Sequence, residues 1–270
     1  MVHRRIPGKD ASRDRPGAAR GPRLDARRPR PPAEEVDESR RPPAPPIPDD
    51  VDAADLDRDV QRDLGALPTG LAELIGKHLV AAARFVDEDP KRALEHARFV
   101  RTRAARVPVV REAAGVVAYQ AEEWAEALSE LRAARRLGGG PGLLALMADC
   151  ERALGRPERA IDLARSPEAR QLDPEDAAEL RIVAAGARRD LGQPDAAVVA
   201  LQGPDLDLQR RDPWSARLFY AYADNLVAAG RGDEAARWFV AAADADEDGE
   251  TDAAQRAAEL GAAGSASTPS

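Results

Sequence analysis

Residues Phe219 to Asp246 read FYAYADNLVAAGRGDEAARWFVAAADAD, and this stretch decides the fold. Phe219, Tyr222, Ala223 and Leu226 fall at i, i+3, i+4 and i+7, a spacing that gathers side chains on one face of an α-helix. Beyond Gly230-Arg231-Gly232, Ala235, Phe239 and Ala242 set up a second helical face. The expectation is two amphipathic helices joined by a glycine-bounded turn. Ala223 and Ala235 are the small residues at their crossing, so the backbones approach closely and Phe219, Leu226 and Phe239 close around them.

Working outward, the position of Ala235 recurs at Ala93, Ala127, Ala160 and Ala197, with successive separations of 34, 33, 37 and 38 residues. Twelve residues before each stands another small residue: Ala81, Gly115, Ala148, Ala185 and Ala223. Gly155, Gly192 and Gly230 fall five residues before the key alanine, where one helix must stop. Pro90, Pro157 and Pro194 fall three before it, where a first-turn N–H needs no intrahelical partner. Asp89-Pro90, Asp173-Pro174 and Asp212-Pro213 read as helix starts with an aspartate N-cap. The order of large, large, small, large residues followed by Ala-x3-Phe resembles the tetratricopeptide repeat (TPR) pattern, whose period is about 34 residues. The resemblance covers roughly residues 70–246 and is carried by period and punctuation more than by large-residue identity. Arg181 and Arg188 stand where the pattern wants apolar bulk, and the longer separations predict inserts in SPEARQLDPED and GPDLDLQRRDP.

The resemblance implies an all-α, TPR-like superhelical array of about five helical hairpins. Residues 51–69 read as an N-terminal capping helix that starts at Asp55, whose carboxylate is expected to cap it, and that carries Leu56, Val60, Leu64 and Leu67 on one face. Residues 247–261 read as a C-terminal capping helix and 262–270 as a frayed tail. Residues 1–50 differ in kind: Arg, Pro, Gly and Asp dominate and large apolar side chains are nearly absent, so burial cannot offset the entropy of ordering. This segment reads as disordered, with polyproline-like stiffness around Pro42 to Pro48. Its first thirty residues hold ten basic against three acidic side chains, on a chain of net charge -8. That reads either as a solvated tail or as a weak, sequence-blind RNA-binding arm, with no aromatics interleaved for base stacking.

The totals exclude several classes. Aromatics are 4% of 270 residues while alanine is abundant, which favours close-packed helices. A single cysteine, Cys150, rules out an intramolecular disulfide and a cysteine zinc cluster. No run of about 18 apolar residues is present for a membrane span. The basic N-terminus is followed by no apolar run, so no export signal is expected, and the reading is a cytoplasmic protein.

No catalytic constellation, cofactor or metal site is expected. The three histidines are His3, His78 and His96, without an HExxH motif. His78 and His96 fall on the two helices of the first unit and read as surface or interhelical residues, Cys150 as a buried, inert thiol. Gly138-Gly139-Gly140-Pro141-Gly142 lacks the GKS or GKT of a phosphate loop and reads as a helix stop. Asp244, Asp246, Asp248 and Gly249 reproduce the first half of an EF-hand loop, but Gln255 replaces the bidentate Glu at its twelfth position. The TPR resemblance implies that first helices line a protein- or peptide-binding groove. Its candidate residues are His78, Phe85, Glu112, Tyr119, Asp149, Arg152, Arg189, Arg217, Tyr220 and Asp224, with Tyr119 and Tyr220 as aromatic anchors. The Lys/Asn/Arg clamp of chaperone-binding TPR proteins is missing: His78, Glu112, Ala145, Ile182 and Tyr220 hold the fifth positions, and Ala82, Val116, Asp149, Gly186 and Asp224 the ninth. The leading expectation is a non-enzymatic scaffold that binds protein through this groove. The alternative is an RNA- or ribosome-associated adaptor that uses the basic tail.

Overall fold

The computed structural model describes residues 43–266. Among them are twelve α-helices and no strand. After α1 (Arg58–Leu64) come five hairpins: α2 (Thr69–Phe85) with α3 (Pro90–Ala104), α4 (Pro108–Gln120) with α5 (Trp124–Arg136), α6 (Leu144–Ala153) with α7 (Pro157–Ala164), α8 (Pro174–Asp190) with α9 (Pro194–Leu201), and α10 (Ser215–Ala228) with α11 (Gly232–Ala245). A last helix, α12 (Ala253–Ala266), packs on α11. The all-α expectation holds, and so does the hairpin period.

The punctuation works as its chemistry demands. Gly155, Gly192 and Gly230 take φ values of 71°, 70° and 76°, the left-handed region in which a Cβ is strained. Each lets the next N–H reach back: Arg156 to the Glu151 carbonyl, Gln193 to that of Arg188, Arg231 to that of Leu226, all at 2.8–2.9 Å. The second hairpin makes the same bond from Glu123 to the Ala118 carbonyl, yet Glu122, not glycine, occupies the left-handed position at φ 59°. Pro90, Pro157 and Pro194 open the second helices, and the Asp89 and Asp173 carboxylates accept from the N–H groups of Arg92 and Asp176.

All five key alanines, and Ala81, Ala148, Ala185 and Ala223, are fully buried. At the second crossing a Cβ on Gly115 would lie 2.7 Å from Leu131 Cγ, so only glycine fits there. Between hairpins the core also holds charge. Glu130 of α5 is buried and accepts from Arg101 of α3 at 3.3 Å and Arg111 of α4 at 2.5 Å. Arg181, out of place in the repeat pattern, leaves the core to bond Asp205 in the last insert, Nη1 to Oδ1 at 2.9 Å. The two inserts follow α7 and α9, each shortened to eight residues.

Several expectations are corrected. Asp55 does not cap α1. Asp57 does, accepting from Asp59 N–H at 2.7 Å, while Asp52 caps a separate 3-10 turn over Ala53–Asp55. Closely spaced aspartates each close a turn on the backbone two residues on, which splits the segment into two pieces. Asp212 is not an N-cap either: its carboxylate accepts from Arg210 at 2.6 Å and α10 starts at Ser215. The C-terminal helix runs on past 261 to Ala266, in keeping with the helix propensity of its alanines. Residues 1–42 lie outside the described residues, and with them most of the segment expected to be disordered. Its end does not fit that expectation. Pro43–Pro46 lies along α3, enclosing a space of about 580 Å³ beside Phe99 and Thr102. Pro45, Ile47 and Pro48 are half-buried, Asp50 pairs with Arg84 at 2.6 Å, and Val51 enters the core. Prolines lose little entropy on ordering, so a short apolar run suffices to hold them.

Candidate functional site

The first helices α2, α4, α6, α8 and α10 neighbour one another in sequence of units and present a common face, which Arg256 of α12 reaches at its C-terminal end. Most of the candidate side chains on it are joined from one unit to the next. The Tyr119 hydroxyl donates to Asp149 at 2.7 Å. Asp149 also accepts from Arg152 at 2.9 Å, and Arg152 Nε donates to Asp190 of α8 at 2.8 Å. Arg152 lies against Gly186, where a Cβ would stand 2.7 Å from its guanidinium carbon. Arg189 pairs with Asp224 of α10, and Asp224 also accepts from Arg256 of α12 at 3.0 Å. Arg256 reaches the Tyr220 hydroxyl at 3.2 Å, and Arg217 of α10 returns to Glu179 of α8 at 2.5 Å. The result is a ladder of polar contacts running along the array.

Electrostatics follow from the pairing. Burial raises the Asp224 carboxyl, but Arg189 and Arg256 together outweigh it and hold the group below its ordinary range. Burial, then the bond to Asp149, holds the Tyr119 phenol well above its ordinary value. Half-exposed ion pairs contribute roughly 0–1 kcal/mol each, so the ladder fixes the register of stacking more than it stabilises.

Two candidates are not on this face. His78 is fully buried between α2 and α3, its Nδ1 2.8 Å from Nδ1 of His96 and its ring 4.1 Å from that of Phe99. The histidine pair is interhelical, as the sequence suggested, and His78 is therefore unavailable to a ligand in the groove. Phe85 turns toward α3, where the Arg92 guanidinium stacks 3.8 Å over its ring. The helical phase at α2 places both against the partner helix, because each of the five hairpins buries the side of its first helix that faces the second.

Glu112 is the exception among the carboxylates. It is half-buried and meets no cation among the described residues. Burial, then the nearby Asp63, raises its carboxyl above the ordinary range. It stands at the mouth of an apolar recess of about 350 Å³ between α1, α2 and α4, lined by Val60, Ala83, Val86, Val109, Ala113 and Val116. On its other side a polar recess of about 410 Å³ runs to Asp63 and Gly138–Gly140. The sequence reading missed the recess residues. It also missed Asp190, Glu179 and Arg256, though opposite charges 38, 35 and 38 residues apart (Arg152–Asp190, Arg189–Asp224, Glu179–Arg217) sit about one repeat apart and could have been found.

Other motifs are used locally. The Asp246 carboxylate accepts from the N–H groups of Glu250 and Thr251 and from the Thr251 hydroxyl at 2.7–2.9 Å, so it points into its own loop. Cys150 is fully buried, and burial first, then Asp149 and Glu151, pushes its thiol up to about 12. Among the described residues no helix is long and apolar enough to cross a membrane, and no three His, Cys, Asp or Glu side chains group as metal ligands.

Five stacked hairpins, small residues at every crossing and a left-handed stop after four first helices make one architecture. It is a divergent TPR-like array. No family model matches the chain, and no curated protein matches it. Among solved structures, YrrB, described as a TPR protein with an unusual peptide-binding site, matches 68% of this chain and 91% of its own at 19% identity, with a TM-score of 0.44.

Proposed function

We propose that this TPR-like array is a non-enzymatic scaffold that binds a protein or peptide partner on its first-helix face. The observation that carries this reading is the apolar recess between α1, α2 and α4, open on the same face as the polar ladder. Repeat arrays bury their apolar surface between neighbouring units, so an apolar recess left open on a shared face is suited to a partner's side chain. The described histidines and the cysteine are otherwise engaged. The two described histidines bond each other in the core, and the Cys150 thiol stays protonated at neutral pH.

The test is affinity capture by the full-length chain, alone and after nuclease, beside two variants. Ala83→Trp fills the recess from an exposed position, and Val199→Asp changes a 64% exposed residue of α9, a second helix. The expected partner survives nuclease, is retained by Val199→Asp and is lost with Ala83→Trp. Partners that vanish on nuclease treatment and ignore Ala83→Trp would favour the RNA adaptor instead.

A further inference from the structure

The carboxylates of the first-helix face divide into two kinds. Asp149, Asp190, Asp224 and Glu179 each hold an arginine of the same chain. Glu112 and Asp63, at the N-terminal end, hold none among the described residues. Several cations of the surrounding elements are committed elsewhere, and among the described residues neither Arg58 of α1 nor Arg106 before α4 pairs with Glu112 or Asp63. Arg111 of α4 donates to Glu130 and to the Ala105 carbonyl, Arg84 of α2 pairs with Asp50, and Arg62 of α1 pairs with Asp59. Glu112 separates the two recesses: apolar walls on one side, Asp63 and glycine backbone on the other. An ionised carboxylate against such walls has lost water without gaining a partner, and a cation delivered there restores what burial removed.

Resting on the binding face proposed above, we infer that its N-terminal end selects partner segments pairing a large apolar side chain with a lysine or arginine. The apolar side chain fills the recess beside Val86 and Val116. The basic residue, adjacent or next but one, crosses Glu112 into the polar recess, where Glu112 and Asp63 receive its N–H groups. The two recesses meet at Val109 and Glu112, one turn of α4, so both side chains belong to one short segment. The chain's net charge of -8 favours approach of such a segment.

The experiment pans a randomised peptide phage library on the full-length chain and, in parallel, on Ala83→Trp and Glu112→Lys. A synthetic copy of a recovered peptide, and its basic-to-Gln version, are then titrated against the wild type and against the near-isosteric Glu112→Gln. Circular dichroism checks that each variant is folded. Peptides recovered by the wild type and lost with Ala83→Trp should carry Lys or Arg within two positions of a large apolar residue. Glu112→Lys should recover Asp or Glu in its place. Replacing the basic residue by Gln should weaken binding about tenfold to the wild type and hardly at all to Glu112→Gln. Peptides that need Ala83 but show no basic preference, or that ignore both Glu112 variants, overturn this selectivity and leave the binding face standing. Recovery of only peptides indifferent to Ala83→Trp overturns the face as well. Self-association of the chain that Ala83→Trp abolishes would make a second copy the occupant, and would also overturn the inference.

Discussion

Acid should loosen the first hairpin, and the His78–His96 pair sets the pH at which it does so. Both rings are fully buried, and at neutral pH one Nδ1–H donates to the other Nδ1 across 2.8 Å. Burial first, then His96 and Arg103, lowers His78 from 6.5 to about 4. Burial and then Arg92 lower His96 too, with Glu95 pulling the other way. In the unfolded chain both rings take up a proton near the ordinary value. The unfolded state therefore binds more protons than the folded one in the window from 6.5 down to about 4. Stability is fully present above the upper limit and is lost as pH falls toward the lower one. One unit corresponds to about 1.4 kcal/mol, so His78 alone contributes roughly 3 kcal/mol, of which about 2 kcal/mol is gone by about pH 5. Glu112 and Asp176, both raised chiefly by burial, act in the opposite sense, since their penalty is relieved as pH falls. The assay is urea unfolding followed by circular dichroism, at about pH 7 and at about pH 5, on the wild type and on His78→Leu/His96→Leu. Replacing both partners by apolar groups leaves no orphaned donor and costs little at neutral pH. The wild type should lose about 2 kcal/mol more than the double variant across that interval. Equal losses, or ring-proton titrations of His78 and His96 centred near the ordinary value, would refute the reasoning.

Glu122→Gly should stabilise the second hairpin by about 0.5–1 kcal/mol, because Glu122 carries a left-handed φ of 59° that glycine adopts freely, and a higher urea midpoint is the readout. Gly115→Ala should cost about 1–3 kcal/mol, since the new methyl meets Leu131 Cγ at 2.7 Å on a packed crossing; unchanged thermal unfolding would count against the close approach. Ala223→Leu should cost a similar amount, roughly 1–3 kcal/mol, at the fifth crossing. Calorimetry should find no calcium affinity tighter than about 10⁻³ M at Asp244–Gln255, because Asp246 spends its oxygens on its own loop and Gln255 supplies no bidentate carboxylate. RNA affinity, measured by filter binding, should be weak, fall steeply with salt and vanish on removal of residues 1–42; affinity that survives removal would place it in the array.

The helices and their stops were legible from the chain alone. An amphipathic period, a glycine in the left-handed position and a proline at a first turn act over a few residues, and so Ala93, Ala127, Ala160, Ala197 and Ala235 could be aligned and all five proved fully buried. Where the local signal was ambiguous the reading slipped: several aspartates competed to cap one turn before α1, and Glu122 took a glycine's backbone without a glycine's signature. The candidate site was legible only as a face. Helical phase put Tyr119, Asp149, Arg152, Arg189, Arg217, Tyr220 and Asp224 on it, but which of them are held by a neighbour depends on how one unit is rotated onto the next. That rotation is set by packing between residues some 30–38 positions apart, such as Tyr119 against Asp149 or Arg152 against Asp190. The same holds for the recess. Val60 of α1, Val86 just past the end of α2 and Val116 of α4 are far apart in sequence, and only the seating of α1 across α2 and α4 brings them to one cavity, with Glu112 at its edge unpaired among the described residues. Local backbone preference thus wrote the hairpins into the sequence, while pairing and exposure on their shared face were decided by tertiary packing, where no short-range pattern reports them.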